Sequence, residues 1–255
     1  GMLSSSLPVQ YFLPLIGWRA IFLSLAVFTL LCIFLLIVFI PKWQLKTIDN
    51  KRLDESGLKI VWKNSLFKSL VPMGFFSYGG LFAIQTLWAG PWMIRVSGYT
   101  PEESAQGLFV IYFFMLMSFL CWGYFVPKFS KNVNDSMRLL KLGAPISLFV
   151  LLIIIVLGPK AGAIHWAIFI VSSVFLSLTQ PAVGMAFSLS NAGKALTSFN
   201  LLIFIGAFFI QWIIGLIIDA GISLNFSEIN SFRLAMVFVL LTSLFSYLFF
   251  LKKIK

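Results

Sequence analysis

Seven long apolar runs constrain this chain more than any other feature, near 18 to 40, 70 to 94, 104 to 126, 140 to 158, 161 to 189, 198 to 218 and 233 to 251. Crossing a hydrocarbon core about 30 Å thick takes about 20 helical residues, and each run approaches or exceeds that length. All eight acidic residues, Asp49, Asp54, Glu55, Glu102, Glu103, Asp135, Asp219 and Glu228, fall outside the runs or at their ends. A charge at mid-bilayer costs at least about 2.5 to 3.5 kcal/mol, which accounts for that exclusion. With 60% hydrophobic and only 11% charged residues, 255 residues could not cover a soluble globule. The fold expected is an all-α polytopic transmembrane bundle of seven spanning helices. The net charge of +11 does not point to nucleic acid, because the basic residues sit in the gaps between apolar runs. No nucleic-acid partner is expected; the lipid bilayer is.

The stretch "LWAGPWMIRVSGYTPEE", residues 87 to 103, shows how one span ends and the next begins. Trp88 and Trp92 suit an interfacial belt, and Arg95 stands where a head group can receive it. Ser97-Gly98 turns the chain. Thr100 is a good helix N-cap, Pro101 fits the first helical position, and Glu103 completes a Thr-x-x-Glu capping box. A tight aqueous hairpin between two spanning helices is expected.

Lys and Arg set the orientation. Alternate loops hold Lys42, Lys46, Lys51, Arg52, Lys59, Lys63 and Lys68, then Lys128, Lys131, Arg138 and Lys141, then Lys194, then Lys252, Lys253 and Lys255. The other side holds only Arg19, Arg95, Lys160 and Arg233. The positive-inside rule places the C-terminus in the cytoplasm and the N-terminus outside, in an integral protein of the plasma (inner) membrane. An odd number of spans behind an outward N-terminus, with Gly1 ahead of Met2, is peculiar for a complete protein. The chain is expected to be a fragment of a longer membrane protein, or to carry a short scar before Met2.

Sites for bond-making chemistry are missing from the pattern. Cys32 and Cys121 lie inside apolar runs, where the default is a small buried hydrophobe, and two isolated cysteines make neither a disulfide framework nor a metal site. His165, the only histidine, stands at the outer start of the fifth run beside Trp166, as an interfacial polar residue rather than a proton relay. There is no Gly-rich phosphate loop, no pair of carboxylates at catalytic spacing and no Ser-His-Asp set that could converge. Neither enzymatic activity nor a cofactor or metal is expected.

Polar residues inside the spans carry the remaining information. In the fifth, Ser173, Ser177, Gln180, Gly184 and Ser188 recur at helical spacing on one face, beside Pro181. Thr197, Asn200, Phe204 and Gln211 share a face of the sixth, and Tyr78, Gln85 and Trp92 a face of the second, with Trp88 at its margin. The fourth is almost wholly aliphatic and the seventh keeps only hydroxyls and Tyr247, so both look lipid-facing. Small and hydroxylated stripes serve equally as packing glue or as cavity lining. Buried amides need partners for four bonding positions each, so Gln85, Gln180, Asn200 and Gln211 favour a water-filled pathway over a dry helix contact.

Three segments, "GWRAIFLSLAVFTLL" at 17 to 31, "LWAGPWMIRVSGYTPEESAQG" at 87 to 107 and "AGKALTSFNLLIFIGAFFIQWIIG" at 192 to 215, resemble the major facilitator superfamily of secondary transporters. They look like the start of its sixth helix, its seventh helix with the outer hairpin, and its eleventh helix with the preceding loop. The resemblance implies that residues 1–40 end an N-terminal half (an outer loop and the sixth helix), 41–68 form a basic cytoplasmic linker, and 69–255 form the C-terminal six-helix bundle. A loop motif of similar transporters is incomplete here: in "GYFVPKFSK", Gly123 and Lys128 match, while Pro127 replaces the acidic residue.

The resemblance further implies transport of a small solute by alternating access, with two bundles rocking about a midplane site. The third and sixth helices of each half would face lipid, which agrees with the aliphatic fourth and seventh runs. Substrate-contacting candidates are then Tyr78, Gln85, Trp88, Tyr112, Gln180, Asn200 and Gln211, with Pro181 and Gly184 as the flexible point of their helix. The implied partners are a small-molecule substrate and a missing N-terminal helix bundle. No charged residue lies mid-span, so a proton-binding carboxylate, if transport is proton-driven, is expected in that other bundle. A heptahelical receptor shares the layout but leaves the Trp-Ala-Gly-Pro-Trp match unexplained, and a retinal protein would need a mid-span lysine absent from 233 to 251. A non-transporting scaffold remains a further alternative.

Overall fold

The computed structural model describes residues 2–39 and 55–254. Among them are seven helices long and apolar enough to cross a membrane: Leu7–Phe39, Ser65–Arg95, Pro101–Phe129, Val133–Lys160, Ala163–Met185, Leu189–Ser223 and Glu228–Ile254, here the first to seventh spans. All described regular structure is helical. The linker before residue 55 lies outside the described residues. Its described remainder forms the short helix Glu55–Lys63, which buries Val61.

Spans two to seven pack into one bundle; the first stands apart, with its most apolar stretch 0% buried. Gly17, at φ 74° and ψ 161°, breaks that helix. The piece before the break, not the spanning piece after it, lines a groove with Glu102 and Gln106 at the head of the third span.

The closest crossing in the bundle joins the second and sixth spans, where glycine lets two backbones touch. A Cβ on Gly79 would sit 2.8 Å from the backbone of Gly206 and Ala207, and one on Gly206 would run into the Phe75 carbonyl. Close backbone approach matters here because lipid is as apolar as a side chain, so helix association depends on van der Waals packing and hydrogen bonds. Ser77 of the second span meets Ser246 of the seventh at 2.6 Å in the same core.

Non-α stretches interrupt two spans. The second contains π-helical turns at Met73–Tyr78 and Ile84–Trp88, and the fifth a 3₁₀ stretch at Ser173–Leu178. Pro91 and Pro181 lie three residues beyond the second π turn and the 3₁₀ stretch, and each lacks the N–H that would reach back to Leu87 or Ser177 inside them, while Pro72 directly precedes the first π turn. Pro127 and Pro145 are carried within continuous α-helix, so proline permits such a break without forcing it.

The hairpin between the second and third spans forms as expected. Thr100 Oγ1 accepts from the Glu103 N–H and the Glu103 carboxylate accepts from the Thr100 N–H, with Pro101 opening the helix and Gly98 at φ 74° in the turn. Trp92 departs from expectation: it is 0% exposed rather than interfacial, because its indole N–H donates to the Ala161 carbonyl at 3.0 Å and its ring meets Trp166 edge-on. Ser97 donates to the same carbonyl, which closes this end of the bundle. Arg95 is exposed and lies 3.7 Å from Glu228.

Other expectations also need correction. The fifth span ends at Met185, not 189, and Ser188 is the N-cap position of the sixth span rather than part of the fifth-span stripe. The second span begins at Ser65, inside the expected linker, because Asn64 caps the Phe67 N–H and Phe67 is fully buried. Cys121 is exposed and Cys32 half-buried, so neither is a buried hydrophobe. The fourth and seventh spans expose only one face each. The fourth buries Ser136, Gly143, Ala144 and Ser147 inward and turns Leu142, Ile146 and Phe149 outward.

Candidate functional site

The sixth span organises the polar groups. Asn200 and Gln211 are eleven residues apart, about 16 Å along the axis and about 20° apart around it, so both lie on one side. That side is open: Thr197, Asn200, Phe204 and Phe208 are exposed. At one level Gln180 of the fifth span donates its amide N–H to Asn200 Oδ1 at 2.8 Å. At the other, Gln211 donates to Thr86 Oγ1 of the second span, also at 2.8 Å. Phe82 and Phe204, ring centroids 6.0 Å apart, form an aromatic wall across the same two helices.

These pairs leave unused hydrogen-bonding capacity. An amide has two donor hydrogens and an acceptor oxygen, and one mutual bond consumes only one hydrogen and one lone pair. The surface offered is therefore neutral, both donating and accepting, with aromatic flanks.

The remaining candidates sit differently. Tyr78, Gln85 and Tyr112 are buried, at 7%, 6% and 7% exposure. Tyr112 on the third span donates its hydroxyl to the Gln85 carbonyl at 2.7 Å, while Ala89 N–H reaches back to Ile84 in the π register. The tyrosine thus clasps the irregular turn. Trp88 spends its indole N–H on the Gln211 carbonyl at 3.2 Å, lies against Gly215 and packs edge-on to Phe232. Pro181 lies three residues beyond the end of the 3₁₀ stretch, and Gly184 approaches Leu196 of the sixth span.

The structure thus brings Gln180 to Asn200 and Trp88 to Gln211, and holds Tyr112 to Gln85, while Tyr78 stacks on Phe82. It does not keep the fifth-span stripe on one face. Ser173 is buried beside Ser77, Ser147 and Ser243, whereas Gln180 is turned to the open side. Six residues at 3.0 rather than 3.6 per turn rotate the helix by about a third of a turn, which separates the two. Thr86 was missed for the related reason that the π register changes which second-span residues face the sixth.

This polar, neutral face on an all-helical membrane bundle can be set beside known families. The family model described as Major Facilitator Superfamily matches residues 1–211. The chain belongs to the major facilitator superfamily. The match runs from the N-terminal segment into the sixth span, past Gln180 and Asn200 and up to Gln211. Comparisons with curated proteins and with solved structures each returned no match. Superfamily members are membrane transporters, and seven apolar helices make this chain an integral membrane protein. Among the described residues, no group of three or more His, Cys, Asp or Glu could hold a metal ion.

Proposed function

We propose that this superfamily chain forms the C-terminal six-helix half of a secondary transporter, with the sixth helix of the other half attached, and moves a small organic solute by alternating access. The observation that carries the proposal is the pair of amide contacts, Gln180–Asn200 and Gln211–Thr86, lined up along an open face. An interhelical polar bond in a purely structural role belongs in the bundle interior, as Ser77–Ser246 does. A second six-helix bundle opposite that face would enclose a cavity between the two.

In this reading Gln180, Asn200 and Gln211 contact solute directly, with Trp88 as an aromatic flank. Tyr78, Gln85 and Tyr112 hold the second span in register behind them, and Pro181 and Gly184 give the fifth span its flexible point. The chain acts by binding and conformational change rather than as an enzyme, and needs no cofactor. In this reading the protein sits in the plasma membrane, and the asymmetry of Lys and Arg supports a basic end that faces the cytoplasm and an N-terminus outside. A substrate charge would find its counter-ion in the opposite bundle.

Substituted-cysteine labelling tests the proposal. With Cys32 and Cys121 replaced by serine, single cysteines at Gln180, Asn200 and Gln211 should react with a membrane-impermeant maleimide. One at Ile154, which is fully buried, should not. Equal protection of all four would return the amides to a packing role.

A further inference from the structure

The basic end of the bundle holds a feature that a solute pathway does not use. The second and fourth spans start there and the seventh ends there, and between them opens a pocket of about 470 Å³. Arg138 and Lys141 of the fourth span and Lys253 of the seventh line it, together with Ser65 and Asn134. Among the described residues, no acidic side chain lines it. The ion pair among the described residues, Arg95–Glu228, belongs to the opposite end, where the hairpin between the second and third spans closes the bundle. Asp135 is next in sequence to Asn134, but its carboxylate accepts the Lys131 backbone N–H instead.

We infer that this pocket binds the anionic phosphate head group of a membrane phospholipid. Three cations line one opening with no carboxylate among the described residues of its lining, and two helices begin at its rim, adding the positive ends of their dipoles. Lys253 also offsets the carbonyl end of its own helix, which leaves Arg138 and Lys141 as the pair best placed for a bound anion. Basic pockets between spanning helices at the membrane surface are suited to anionic head groups. The walls identify the rest of the molecule. Leu66, Met137 and Ile254 are the apolar part of the lining, and outside it the fourth and seventh spans turn Leu142, Ile146, Phe149 and Leu248 outward, where acyl chains would lie. A free phosphate ion would gain nothing from that surface. Tyr247 fastens the site by donating its hydroxyl to the Lys141 carbonyl at 2.8 Å, so the seventh span holds the fourth in place at the pocket.

The experiment reconstitutes the full chain in nanodiscs of phosphatidylcholine with a minor share of phosphatidylglycerol, and counts retained lipid by native mass spectrometry. The unsubstituted chain should keep phosphatidylglycerol in preference to phosphatidylcholine. Arg138→Gln and Lys141→Gln should each weaken that preference roughly fivefold, the worth of one basic side chain near an anionic surface. Lys160→Gln, at the opposite end, should leave it unchanged. Unaltered retention in the Arg138→Gln/Lys141→Gln double variant would overturn the assignment. So would displacement of the lipid by millimolar inorganic phosphate, which would make the pocket a site for the free ion. If the double variant unfolds, the unsubstituted chain decides: its melting temperature should rise on adding phosphatidylglycerol and not on adding phosphate, and no rise overturns the proposal.

Discussion

At the scale of single residues, what separates a working amide from a structural one is where its unused hydrogen-bonding positions point. Asn200 is exposed and Gln180 half-buried, and each keeps donors and an acceptor beyond their mutual 2.8 Å bond. Replacing either with leucine removes those positions and adds apolar surface that a bilayer accepts, so insertion should be nearly normal. Transport by the proposed two-bundle carrier should fall by about an order of magnitude or more, consistent with the roughly 1 to 3 kcal/mol that unpaired polar groups at a binding site cost. Uptake normalised to protein in the membrane checks this, and a parallel loss of uptake and insertion would show a packing role. Serines give the contrast. An interhelical bond such as Ser77–Ser246 is worth about 0.6 kcal/mol on average in membrane proteins, so no single hydroxyl pair decides the fold.

At the scale of elements, the bundle depends on how closely its helices approach. Gly206 faces the Phe75 carbonyl and Gly79 the backbone of Gly206 and Ala207, and backbone cannot turn aside as a flexible side chain can. Gly206→Ala and Gly79→Ala should each destabilise the bundle by about 1 to 3 kcal/mol, the usual cost of overpacking. Gly123→Ala, where no atom lies within 4 Å, should be neutral. Unfolding in mixed micelles by denaturing detergent measures the difference. The same elements explain what could be read from sequence. Span positions, the Thr100 capping box and the Gly98 turn were legible because each depends on composition or on neighbours within about four residues. Facing was not legible wherever a helix left the α register. The Ser173 to Gln180 stripe assumes a constant 100° step, which the 3₁₀ stretch breaks, and the second-span face assumes it through two π turns. Trp92 was misplaced because its N–H partner, Ala161, is 69 residues away.

At the scale of the whole molecule, burial is distributed unevenly, and the uneven part concerns mechanism. The second span is 61% buried in its most apolar window and the fifth 50%, but the first is 0% buried and the polar side of the sixth lies open. A single apolar helix is stable in lipid because its backbone is satisfied internally, so the bare first span poses no problem for folding. The open polar face is different, since amides exposed to acyl chains would lack partners. The proposed second bundle, and the water enclosed with it, would relieve that cost, and the same arrangement would permit alternating access: one bundle alone has nothing to rock against, and its amides cannot be exposed to each side of the membrane in turn. Vesicles containing only this chain should therefore show no saturable flux of sugars or amphiphilic organic cations above that of empty vesicles. The labelling of Gln180 and Asn200 positions should then fall when a complementary six-helix bundle is present and an occluding solute is bound. Saturable flux by this chain alone would mean that its own six-helix bundle forms a complete pathway, and the two-bundle proposal would have to be abandoned.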